Sequence, residues 1–128
     1  MSASENKEIV RRYWEERFNA GHDYSSVVDR YVAPDAIGAE PEKQKPWLDD
    51  LHEAWQDLHT TVDYIIAEDD MVAVHVTSKG TLSKEFMGFA PTDGPVTTHA
   101  VALCWLKDGK IVRDDIVYGD NFEVLTRA

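Results

Sequence analysis

The hydrophobic pattern of this chain changes period once, near Leu58, and that change limits it to a narrow set of folds. Before it, apolar residues recur at helical spacing: Ile9, Val10, Tyr13, Trp14 and Phe18, then Val27, Val28 and Tyr31, then Trp47, Leu48, Leu51, Ala54 and Trp55. After it they alternate, with Val62, Tyr64 and Ile66 in one run and Val72, Val74 and Val76 in the next. Helices gathered first and strands last predict an α+β domain whose three helices pack on one face of a mainly antiparallel sheet.

Local signals set the expected limits. Ser2 and Glu5 fit a capping box for the first helix, which Asn19, Ala20 and Gly21 end. A second helix is expected over 24–32, stopped by Ala33 and Pro34, followed by a loop over 35–45. Pro46 suits the start of a third helix running to about Asp57. Strands are expected over 60–67 and 71–82, with Gly80 bending or bulging the second, and an apolar connection over 86–94 leads to a closing hairpin of 96–106 and 110–118.

With 128 residues the chain reads as one domain, 1–128, able to bury a real core. Asp and Glu outnumber Lys and Arg by 24 to 13, so a net charge of -11 argues against nucleic acid and anionic membranes as partners. No apolar run is long enough to span a bilayer, and the N-terminus lacks the basic-then-apolar order of an export signal. The expectation is a soluble, cytoplasmic protein. Cys104 is the sole cysteine, which excludes an intrachain disulfide and a thiolate cluster.

The turn of the closing hairpin decides which side chains meet. A three-residue loop ending in a left-handed Gly109 would pair Leu106 with Lys110, Cys104 with Val112, Ala102 with Asp114, Ala100 with Ile116 and Thr98 with Tyr118. The other face would then carry Trp105, Leu103, Val101 and His99 beside Ile111, Arg113, Asp115 and Val117. A two-residue Asp108-Gly109 turn would instead slip the partner by one residue and set Asp115 beside Ala102.

Several segments resemble the SnoaL-like polyketide cyclases, within the superfamily of nuclear transport factor two and ketosteroid isomerase. Glu8-Ile-Val-Arg-Arg with Phe18-Asn-Ala-Gly is similar to the family's first helix, and Tyr31-Val-Ala-Pro-Asp to its second. Gly88-Phe-Ala-Pro-Thr-Asp resembles a family loop, and Asp108-Gly-Lys-Ile its final hairpin. The resemblance implies a strongly curved sheet around a long helix, a cystatin-like cone with an internal apolar cavity, often dimeric through the outer face of the sheet. It also implies an aldol cyclisation run by an aspartate on the last strand and a histidine on the strand before. Those positions here hold Ile116 and Ala102, and the segment 35–45 is shorter than in the family.

The residues that remain point to altered chemistry on the same face. Asp114, flanked by apolar neighbours, would lose solvation, and burial raises a carboxyl from about 3.9 toward the range of a general base. A place at the cavity rim, hydrated or bonded to backbone, is the plainer alternative. Tyr118 and Tyr13 are candidate hydroxyl donors to a developing enolate, or simply core. Trp14, Trp55, Phe86, Thr98, Ala100, Ala102, Cys104, Val112 and Ile116 are the expected lining of a ligand cavity. His99 falls on the outer face, His75 on either, and no spacing of histidines and carboxylates suggests a metal, so no metal or cofactor is expected. The reading is an acid/base enzyme (cyclisation, isomerisation, dehydration or epoxide opening) acting on an apolar oxygenated molecule of polyketide or terpenoid type. A non-catalytic binding protein for an apolar molecule, or a dimeric scaffold with a self-filled cavity, are the alternatives.

Overall fold

The computed structural model describes residues 2–118, with Tyr118 described by its backbone alone. Helix α1 (Ala3–Phe18) opens with the expected capping box, in which the Glu5 amide donates to Ser2 Oγ and the Ser2 amide to Glu5 Oε1, both at 3.1 Å. It closes at Asn19, whose side chain accepts from the Thr60 amide at 2.7 Å and donates to the Thr60 carbonyl at 3.1 Å. The helix end is thereby fixed to the start of the first antiparallel strand. Helix α2 (Tyr24–Tyr31) is capped by Asp23, which accepts from the Ser26 amide.

Two expectations fail in the next stretch. Residues read as a helix end and loop form β1 (Val32–Ile37), and α3 (Pro41–Ala54) begins five residues earlier than Pro46 and carries that proline inside it. Pro41 fills the first-turn place where a missing amide hydrogen costs nothing, so Pro46 is not needed as a start. Pro34 is tolerated because β1 lies at the sheet edge.

The strands β2 (His59–Glu68), β3 (Met71–Gly80), β4 (Val96–Lys107) and β5 (Lys110–Tyr118) are antiparallel neighbours, and β1 adds in parallel to β5, giving the open order β1-β5-β4-β3-β2. Gly80 neither bends nor bulges its strand: β3 pairs with β4 in unbroken register and ends there. A Cβ at Gly80 would sit 3.1 Å from the Leu58 Cα, so close backbone approach explains the glycine. The bulge of this hairpin falls in β2 instead, between Val62 and Tyr64. It keeps Val62 and Ile65 against the core while Tyr64 and Ile66 point outward.

The register of the closing hairpin also differs from the expected one. Asp108 (φ 51°) and Gly109 (φ 79°) form a two-residue turn with both residues left-handed, so Lys107 pairs with Lys110 and Leu106 with Ile111. A bulge then skips Val112, setting Trp105 by Arg113, Cys104 by Asp114, Ala102 by Ile116 and Ala100 by Tyr118. The inner face carries Val72, Val74, Val76, Ala100, Ala102, Cys104, Leu106 and Ile111 against Val10, Tyr13 and Trp14 of α1. Ile111, expected outside, is therefore a core residue.

Candidate functional site

Asp114 is carried inward by the bulge and is 2% exposed. Its Oδ1 accepts from the Cys104 thiol at 3.5 Å, while Oδ2 is buried with no hydrogen-bond partner. Burial pushes the carboxyl above its ordinary range, against the pull of the nearby Arg17 guanidinium and the Cys104 thiol, and Asp115 adds a smaller push upward. Burial, aided by the negative field of Asp114, also holds the Cys104 thiol well above its usual range, so the sulfur stays protonated.

The hydroxyl expected from Tyr13 is present but engaged. It donates to Gln44 Oε1 at 2.7 Å and accepts from Arg17 NH1 at 2.6 Å, and burial raises its pKa far above the usual phenol value. Arg17 NH1 also donates to Gln44 Oε1 at 2.7 Å. Gln44 is anchored in turn by donation to the Ala39 carbonyl. Arg17 is itself 2% exposed, and its Nε and NH2 are buried without partners. Its guanidinium carbon stands 4.1, 4.4 and 4.3 Å from the ring centroids of Tyr13, Trp14 and Phe18. The Tyr118 side chain, the other expected donor, lies outside the described residues.

The expected lining divides into two groups. Trp14, Trp55, Phe86, Thr98 and Ala100 line an apolar cavity of about 110 Å³ between the helices and the sheet. Ala102, Cys104 and Ile116 are packed in the core around Asp114, beyond Trp14. Trp14 touches both groups: it lines the cavity, Arg17 lies over its ring, and its Nε1–H nears the Cys104 thiol without an ordinary hydrogen bond. Val112 belongs to neither group. Skipped by the bulge, it sits on the opposite face with Trp105, Lys107 and Asp35, which corrects its place in the lining.

Arg17 and Gln44 are the polar members that the sequence reading missed. Arg17 stood in plain view, because it falls on the apolar stripe of α1, three residues past Trp14 and four past Tyr13. Gln44 was hidden by reading 35–45 as a loop. Ala102 and Ile116, which hold the histidine and aspartate positions of the resemblance, are direct cross-strand partners. A catalytic pair at those positions would face each other across β4 and β5.

The outer face holds a second polar group. Asp63 Oδ2 accepts from Thr77 Oγ1 at 2.5 Å and lies 2.9 Å from His75 Nδ1, and Thr77 Oγ1 lies 3.1 Å from His99 Nδ1. This places His75 outside, stacked on His99 with ring centroids 5.6 Å apart. Among the described residues no three His, Cys, Asp or Glu side chains converge to hold a metal, and no helix is long and apolar enough to cross a membrane.

Comparison with known proteins agrees with this geometry. The SnoaL-like polyketide cyclase family matches residues 8–126. Among solved structures, a protein from Jannaschia sp. CCS1 named as a candidate SnoaL-like polyketide cyclase superposes with a TM-score of 0.79 at 22% identity, over 91% of this chain and 87% of the other. AclR from Streptomyces galilaeus, named as a candidate hydroxylase, gives 0.72 at 27% identity over 93% and 92%. IdmH from Streptomyces antibioticus, named as a candidate polyketide cyclase, gives 0.72 at 25% identity over 94% of each chain. No curated protein matches the chain.

Proposed function

The chain belongs to the SnoaL-like polyketide cyclase family, and from that premise we propose that it moves a proton on an apolar, oxygenated small molecule of polyketide or terpenoid type, with Asp114 as the acid or base. The observation that carries this reading is the buried Asp114 carboxyl with its unpartnered Oδ2. An oxygen in that state has a lone pair free for a proton and an affinity for it raised by burial. In the forward step Oδ2 takes a proton from a carbon beside a carbonyl, and returning it elsewhere on the ligand gives isomerisation, ring closure or elimination. The reaction needs neither the aspartate position at Ile116 nor the histidine position at Ala102. The likeness to IdmH, named as a candidate polyketide cyclase, supports a ring-closing outcome.

The test is exchange of α-carbon hydrogen for deuterium in a panel of cyclic ketones, followed by NMR. The protein should accelerate exchange, and Asp114→Asn should remove roughly 10²–10⁴-fold of it, the usual share of a general base. Undiminished exchange in Asp114→Asn overturns the assignment.

One observation favours a second reading, a binding protein for a small apolar molecule: Asp114 is not among the residues that line the cavity. Cyclohexanone that binds in the cavity without exchanging its α-hydrogens would support that reading. For either function we propose a homodimer through the outer face of the sheet, where Tyr64, Ile66, Val101, Leu103 and Val117 stand exposed.

A further inference from the structure

Arg17 is the charged group that proton transfer by Asp114 leaves without a task. A guanidinium carries five N–H donors and needs acceptors for all of them when taken out of water. Here NH1 is satisfied by Tyr13 Oη and Gln44 Oε1, both neutral, and the three stacked rings compensate part of the charge. Nε and NH2, the edge of the fork that grips an anion, are buried and unpartnered, and no carboxylate is bonded to the group among the described residues. Its orientation is nevertheless fixed from two sides, by α1 through Tyr13 and by α3 through Gln44. A buried cation held rigid, with two donors left open, is preorganised for a negative charge that a ligand would bring to those donors.

The only unpartnered buried oxygens among the described side chains are Asn6 Oδ1 and Asp114 Oδ2. Asp114 is linked to Arg17 through Cys104 and Trp14, and the field of Arg17 reaches its carboxyl without an ion pair. A base and a cation in one apolar setting, not neutralising each other directly, can each act on a different atom of one ligand. We propose that Arg17 binds the enolate oxygen of the ligand through Nε and NH2, so that the substrate is a ketone or β-diketone small enough to place its carbonyl past Trp14.

The inference rests on Asp114 being the base, and the step balances. The C–H bond α to the carbonyl breaks, its electron pair becomes the enolate, and the proton goes to Asp114 Oδ2. Negative charge passes from Asp114 to the substrate oxygen while Arg17 stays positive, so the net charge of the site does not change. A buried site that keeps its net charge through the reaction avoids the solvation cost of creating charge in an apolar medium.

Cyclohexane-1,3-dione, an enolate at neutral pH, and its neutral O-methyl enol ether, 3-methoxycyclohex-2-enone, are the probes. Calorimetry on the unmodified protein should show the dione binding at least tenfold more tightly than the ether, a preference that fades as pH falls and the dione protonates. The Arg17 Nε–H signal in a nitrogen-15 NMR spectrum should move with the dione and not with the ether. Arg17→Met should bind both alike. Equal binding of the two probes by the unmodified protein, an unmoved Arg17 signal, or a preference kept in folded Arg17→Met each overturns the inference, and the first two need no variant to fold. Asp114→Asn separates the two claims. Loss of ketone exchange with no dione preference leaves the acid/base reading standing and removes Arg17, whereas undiminished exchange with an intact preference does the reverse.

Discussion

Cys104 and Asp114 face each other across β4 and β5, and the thiol donates to the carboxyl Oδ1 at 3.5 Å. The pairing depends on two irregularities that compensate. The two-residue turn moves β5 by one position relative to a three-residue loop, and the bulge at Val112 moves it by one more. A net shift of two preserves the face of every side chain beyond the bulge, because strand side chains alternate with period two.

The bulge gives the first prediction. Val112 is the residue that β5 can lose without turning Asp114 over, since its deletion makes Leu106–Ile111 and Trp105–Arg113 consecutive pairs. Deletion of Val112 should fold with a cost of about 1–2 kcal/mol and keep Cys104 unreactive toward a thiol reagent. Inserting one alanine after Arg113 should reverse the face of Asp114 and expose the thiol. Rapid thiol labelling in the deletion variant would contradict this register.

The same arithmetic explains what could be read from the sequence. Asp114, Ala102, Cys104 and Ile116 were legible as one face because parity survives a shift of two. Only Lys110, Ile111 and Val112, lying between turn and bulge where the shift is one, land on faces opposite to those expected. The strand β1 was not legible: its partner β5 lies far along the chain, and Pro34 reads locally as a stop. Arg17 lies on the apolar stripe of α1, three residues past Trp14 and four past Tyr13, a readable signal that a charge is carried inward.

Asp114 should make stability depend on pH. Its folded pKa is raised above the unfolded value, so the native state holds a proton that the unfolded chain releases. Stability therefore falls as pH rises from the unfolded pKa, about 4, through the folded one, and the penalty persists above it. Asp114→Asn, neutral at every pH, should be more stable than the unmodified protein near pH 7 by on the order of 1–3 kcal/mol, the scale of an unsatisfied buried group. Urea unfolding across pH 4 to 7 measures the difference, which should shrink toward the acid end. A gain that does not change with pH would rule out Asp114 as its source.

Gly38 holds β1 against the back of the site. Its φ is 79°, and a Cβ there would lie 2.1 Å from the Asp114 carbonyl oxygen. Gly38→Ala must both strain the backbone and force β1 and β5 apart, for a loss above about 2 kcal/mol. Gly21→Ala is the control, since Gly21 is also left-handed (φ 95°) but has nothing within 4 Å. It should cost only the conformational share, about 1 kcal/mol. Thermal or urea unfolding of the two variants separates crowding from strain, and equal losses would deny the close approach.

The outer face offers a prediction about assembly. Val101 and Leu103 are 43% and 37% exposed and flank the polar group of Asp63, Thr77, His75 and His99 near the middle of the sheet. Tyr64 and Ile66 on β2 and Val117 on β5 extend the apolar area to either side. Burying that area against a second copy would remove several large apolar side chains from water, each worth about 1.5–3 kcal/mol when fully covered. An acidic group introduced there would be desolvated at the contact and would meet its own copy across a two-fold axis. Val101→Asp with Leu103→Asp should therefore convert a dimer to a monomer in sedimentation equilibrium while ketone exchange per chain is unchanged, because neither side chain reaches the inner face. The folded monomer should lose no more than about 0.5 kcal/mol, the usual range for exposed positions. Sedimentation of the unmodified protein as a monomer at micromolar concentration would remove the dimer altogether.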